Sequence, residues 1–106
     1  MLLSPALAAT LSARVVNGEG SPVEDAVVYA LPEPGTTLPA RVARTARVEQ
    51  RDREFVPYVS AVRTGTSVQF PNRDPLMHHV YSFSPAKPFE IKLYSGVLAP
   101  AIVFDK

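Results

Sequence analysis

The chain contains no cysteine among its 106 residues, so disulfides, thiolate nucleophiles and thiolate metal ligands are excluded within it. Charge of one sign is also lacking. Eleven Lys and Arg against ten Asp and Glu give a net charge of +1, which supplies no electrostatic footprint for nucleic acid or an anionic membrane. Arg41, Arg44, Arg47, Arg51, Arg53 and Arg63 hold most of the positive charge, but Glu49, Asp52 and Glu54 interleave with them, the pattern of a solvated strand face. No apolar run approaches the ~18 residues that span a bilayer. There is no low-complexity stretch, no internal repeat, no carboxylate pair at a telling spacing and no phosphate-binding glycine loop, so an enzyme is not expected. Long helices are disfavoured by eleven prolines, each of which removes a backbone donor and crowds the preceding turn.

What is present has the punctuation of an all-β protein. Thr10–Val16 alternates Leu11, Ala13 and Val15 with polar neighbours, Asn17-Gly18-Glu19-Gly20 reverses the chain, and Ala26–Leu31 (AVVYAL) is a second strand candidate. Pro32–Pro39 (PEPGTTLP) is a loop and the best internal boundary. The stretch from Val42 to Glu49 fits either a short helix or a strand, with strand preferred at Val48–Gln50. Phe55–Val62 reads as a strand carrying Pro57 at an edge or bulge. After the turn Arg63–Thr66, Ser67–Phe70 places Val68 and Phe70 on one face, and Pro71–Met77 is a loop. Val80–Phe83, Phe89–Tyr94 (with Phe89, Ile91 and Leu93 facing one way) and Ile102–Phe104 complete the set. Short strands at this spacing, separated by turn signals, indicate a β-sandwich or barrel.

Residues 70–84, FPNRDPLMHHVYSFS, hold the chain's two histidines, His78 and His79, side by side between a Pro- and Asp-containing loop and a strand. With the preceding FVPYVSAVRTGTSVQ and the following PAKPFEIKLY, this passage resembles the small blue-copper proteins, the cupredoxins of the plastocyanin type. It is similar above all to the bacterial periplasmic group labelled methylamine utilisation proteins. The likeness covers residues 11–106 and is most specific over Phe70–Tyr94.

The resemblance implies a Greek-key β-sandwich, export to the periplasm, and one copper held by two imidazoles, a thiolate and a weak axial sulfur for one-electron transfer with redox partner proteins. The early imidazole of that set falls on His78. His79 is expected to point outward or to lie behind the ligand, since consecutive strand residues face opposite sides. Met77 is expected to pack at the rim of the site. Asn72 and Asp74 are expected to cap loop amides and hold the ligand loop still.

Three of the four ligands that the family would supply are not in this sequence: there is no Cys, and the methionines are Met1 and Met77. The expected fold is therefore a cupredoxin-like sandwich incomplete at its C-terminus, from either a piece of a longer protein or a degenerate copy that lost copper. Residues 1–9, MLLSPALAA, read as the remnant of a signal peptide, with Ala6-Leu7-Ala8 as its small-x-small site. Residues 10–40 resemble the β-sandwich repeats similar to carboxypeptidase regulatory domains, and residues 41–106 the N-terminal part of a cupredoxin-like domain. An incomplete sandwich leaves strand edges open, so self-association through them is expected. Two other functions stay open at this point. One is a non-redox binding module of the cell envelope, and the other is copper handling through Met77, His78 and His79.

Overall fold

A computed structural model of the chain describes residues 10–37, 40, 44–96 and 99–106. Expectations that fall on residues 1–9 and on Val42 lie outside the described residues. The chain divides into two compact units, Met1–Ala30 and Leu31–Lys106.

In the first unit the two expected strands do not form. Its one β feature among the described residues is an isolated antiparallel bridge between Val16 and Pro22, supported by Val23 N–H donating to Val15 O at 3.1 Å. The reversal is built as the sequence demands. Asn17 Oδ1 accepts from the amides of Glu19 (3.0 Å) and Ser21 (2.9 Å), and Gly20 takes a φ of 84° that a side chain would resist. Beyond the turn, Ala26–Ala30 enters no ladder. A two-stranded hairpin is marginal by itself in water, and here the pairing goes no further than that one bridge.

Every regular element among the described residues of the second unit is a strand: β1 (Thr45–Arg47), β2 (Glu49–Arg51), β3 (Glu54–Val56), β4 (Thr66–Gln69), β5 (His78–Ser82), β6 (Phe89–Tyr94) and β7 (Ile102–Phe104). The described residues contain no helix, so the helical option at Val42–Glu49 fails over its described part. The strands form a mixed sheet in the order β1-β4-β7, parallel between β1 and β4 and antiparallel between β4 and β7, beside the pairs β2-β3 and β5-β6. Val68 and Phe70 from the β4 region meet Val80 of β5 and Ile91 of β6, so faces of different sheets share one small buried core. This is an all-β arrangement consistent with a β-sandwich.

Three differences from the sequence reading have physical causes. The expected strand Phe55–Val62 stops at Val56, because Pro57 has no N–H to continue the β2-β3 ladder, and Pro57–Val62 runs exposed. The β2-β3 hairpin turns on Asp52 and Arg53, whose φ angles of 54° and 65° are both positive. That two-residue geometry suits the right-handed twist of the flanking strands.

The third difference concerns β6. Its register against β5 slips between His78↔Tyr94 and Val80↔Ile91, so His79 stands opposite both Lys92 and Leu93. Such a bulge inverts the alternation on one side of itself. Leu93, expected inward, is 62% exposed, and Tyr94 takes the inward place.

Candidate functional site: the histidine clasp

The candidate site lies where the 71–77 loop enters β5. Asn72 is its anchor, with 3% of its surface exposed. The Asn72 amide Nδ2 donates to Leu76 O (2.7 Å) and Tyr94 O (3.0 Å), while Oδ1 accepts from Asp74 N–H at 2.9 Å. Its backbone N–H donates to Gly96 O at 2.8 Å. One side chain therefore ties the loop to itself and to the end of β6. A buried amide with all three of these bonds made stiffens what it joins, since breaking any one strands a polar group away from water.

Behind it lies a second polar group. Gln50, also buried, donates through Nε2 to the Tyr94 hydroxyl, which in turn donates to Phe70 O. The main chain of Gln50 brackets the loop as well: its N–H donates to Pro71 O and its carbonyl accepts from Arg73 N–H, both at 2.8 Å. Burial pushes the Tyr94 phenol above its ordinary value, with the Gln50 bond pulling the other way. Among the described residues no buried side-chain nitrogen or oxygen is left without a partner.

Asp74 gathers the parts that move the imidazole into place. Oδ1 accepts from Asp52 N–H at 2.7 Å and Oδ2 from Arg53 N–H at 3.0 Å, so its carboxylate closes the β2-β3 turn. Oδ2 also meets His78 Nε2 at 2.6 Å, with the two side chains 8% and 22% exposed. The bond to His78 and then those from the two turn amides hold the Asp74 carboxyl below the usual carboxylate range. An ionised carboxylate can only accept, so the proton on this contact sits on Nε2. In the neutral ring the lone pair is then on Nδ1, the nitrogen that Asp74 does not use.

His79 lies on the other side of β5. Its Nε2 contacts Glu90 Oε1 at 2.9 Å, and its ring packs edge-on to Tyr81 at 5.4 Å between centroids. The two imidazoles thus engage different carboxylates on different faces and are not brought together. Met77 is exposed. Glu49, gripped by Arg73 (3.0 Å) and Arg51 (2.8 Å), has its carboxyl lowered chiefly by the Arg73 bond. Asn72 and Asp74 hold loop amides as the sequence suggested. The participation of Gln50, Tyr94 and the Asp52-Arg53 turn was not foreseen. Only the -RDRE- turn between two short strands could have hinted at it.

Among the described residues no three His, Asp or Glu side chains converge as metal ligands would, and no helix is long and apolar enough to cross a membrane. No protein-family model, curated protein or solved structure matches this chain.

Proposed function

We propose that residues 41–106 are the early, histidine-bearing part of a Greek-key cupredoxin-type domain, in a periplasmic copper protein that transfers single electrons between redox partners. His78 is its one copper ligand in this chain. The observation that carries this reading is the His78–Asp74 bond. A carboxylate that fixes the Nε2 proton and the ring plane leaves Nδ1 as a pre-oriented donor, the arrangement that histidine ligands of metals commonly have.

The residues present do not make a blue-copper centre by themselves. Such a centre needs a thiolate and a second imidazole in the copper plane, and the sequence has no cysteine, while His79 faces Glu90. A complete centre draws its remaining ligands from residues outside this sequence. The proposal is tested by titrating the 106-residue chain with Cu(II), and separately a chain extended along the same reading frame. The expected results are loose, colourless binding that weakens in His78→Ala, and an intense thiolate-to-copper band in the extended chain. Unchanged copper affinity in His78→Ala refutes the assignment of His78. An extended frame without Cys, His and Met in its next few tens of residues refutes the blue-copper reading.

A non-redox module of the cell envelope is the second reading. It is favoured by the Asp74 and Asn72 hydrogen bonds to the amides of Asp52, Arg53 and Asp74, which give the clasp a structural occupation that needs no metal. Copper binding without the thiolate band in the extended chain supports it. Copper capture by Met77, His78 and His79 together is disfavoured by the divergence of the two imidazoles.

A further inference from the structure

The chain has two asparagines, and their surroundings are opposite in kind. Asn17 stands in the exposed turn of the first unit, followed by Gly18. Its Oδ1 collects two backbone donors, Glu19 N–H at 3.0 Å and Ser21 N–H at 2.9 Å. The main chain holds that posture, with Asn17 N–H donating to Ser21 O at 2.9 Å and Gly20 N–H to Asn17 O at 3.0 Å. Among the described residues nothing accepts from Gly18 N–H, and a Cβ added at Gly18 would meet nothing within 4 Å.

Asn72 has the reverse setting. It is 3% exposed, its Nδ2 is committed to Leu76 O and Tyr94 O, and the next amide, Arg73 N–H, is locked onto Gln50 O at 2.8 Å. An attack by Arg73 N on that side chain would first break the Gln50 bond and strand polar groups away from water.

We propose that Asn17 is a self-modification site, at which the chain converts its own side-chain amide to a carboxylate. Gly18 N gives its proton to a solvent base and attacks Asn17 Cγ, so an N–Cγ bond forms and the C=O electron pair moves onto Oδ1. The oxyanion collapses, the Cγ–Nδ2 bond breaks, and Nδ2 takes protons from water and leaves as ammonia. Water then opens the resulting five-membered succinimide at either carbonyl, to aspartate or to isoaspartate. One water enters, one ammonia departs, and nothing is oxidised or reduced.

Three features of the turn favour these steps. The Glu19 and Ser21 amides already point at the oxygen on which negative charge develops, as oxyanion donors do. The nucleophilic nitrogen is not spent on a hydrogen bond, and glycine has no side chain to shield it. Attacking and attacked atoms are neighbours on one chain, so no loss of translational freedom opposes their meeting. The isoaspartate product routes the main chain through an extra methylene in the middle of the reversal, which loosens the Val16–Pro22 bridge.

The test is peptide-mapping mass spectrometry of the whole chain, held for days at physiological temperature and mildly alkaline pH, both folded and in urea. In the folded chain Asn17 should convert at least as fast as in urea, and faster as pH rises, while Asn72 stays an amide. Gly18→Ala should slow the conversion about tenfold or more, because misplacing reacting atoms by an ångström costs about a hundredfold. The space at Gly18 is open, so circular dichroism of this variant should match the parent. The proposal is overturned if Asn17 stays an amide in the folded chain, converts more slowly there than in urea, is matched by Asn72, or is indifferent to Gly18→Ala.

Discussion

Replacing Asn72 by Ala removes three hydrogen bonds at once: Nδ2 to Leu76 O, Nδ2 to Tyr94 O, and Asp74 N–H to Oδ1. Each contributes roughly 1 kcal/mol net, and a buried group left without a partner costs about 1 to 3 kcal/mol. The loop that holds two of these partners reaches the surface at Leu76, where water can replace one bond, so the lower part of that range applies. The expected loss is about 3 kcal/mol, a large fraction of the stability of a small domain. The assay is urea unfolding followed by far-ultraviolet circular dichroism at pH 7, with Asn72→Asp alongside. Asp keeps the acceptor toward Asp74 N–H but turns a charged oxygen onto two carbonyls, so it should be no more stable than Ala. The reasoning fails if Asn72→Ala loses under about 0.5 kcal/mol, the range of an ordinary surface change. It fails equally if Asn72→Asp is the more stable of the two.

Three other outcomes follow from the same geometry. Asp74 ionises more readily folded than unfolded, so its stabilisation is full above about pH 4, the unfolded carboxyl value, and is lost as pH falls through the lower folded value. Urea midpoints of the parent and Asp74→Asn should accordingly differ at pH 7 and converge on acidification, and a constant gap contradicts this account. Gly65 has a φ of 91° with nothing within 4 Å of an added Cβ, so Gly65→Ala should cost about 1 to 2 kcal/mol from backbone strain alone in thermal or urea unfolding. The exposed His79–Glu90 pair should contribute under about 1 kcal/mol, and a double-mutant cycle on His79→Ala and Glu90→Ala that returns more would mean the contact is not the solvated one described.

How much of this was legible beforehand varies with the range of the forces involved. The bounds of β6 and β7 could be read directly, because Phe89–Tyr94 and Ile102–Phe104 are short β-rich runs between turn residues. The turn at Asn17–Gly20 was likewise written locally, in an Asn side chain and a glycine that accepts positive φ. β5 begins two residues earlier than the apolar pattern suggested, since His78 and His79 are polar and only their pairing across to β6 makes them strand. Leu93 has the sequence of a core residue, and the bulge opposite His79 alone turns it outward.

The sequence by itself determined an all-β chain with its histidines at a loop-to-strand junction and no sulfur donor beyond two methionines, because composition, alternation and turn chemistry are properties of neighbours along the chain. Tertiary structure alone decided that His78 and His79 part company, one to Asp74 and the other to Glu90, and that Asp74 reaches back to the amides of Asp52 and Arg53. It also decided that a core of Val68, Phe70, Val80 and Ile91 stays open along one side. Register, bulges and long-range hydrogen bonds depend on which strands meet, and no window of adjacent residues carries that information.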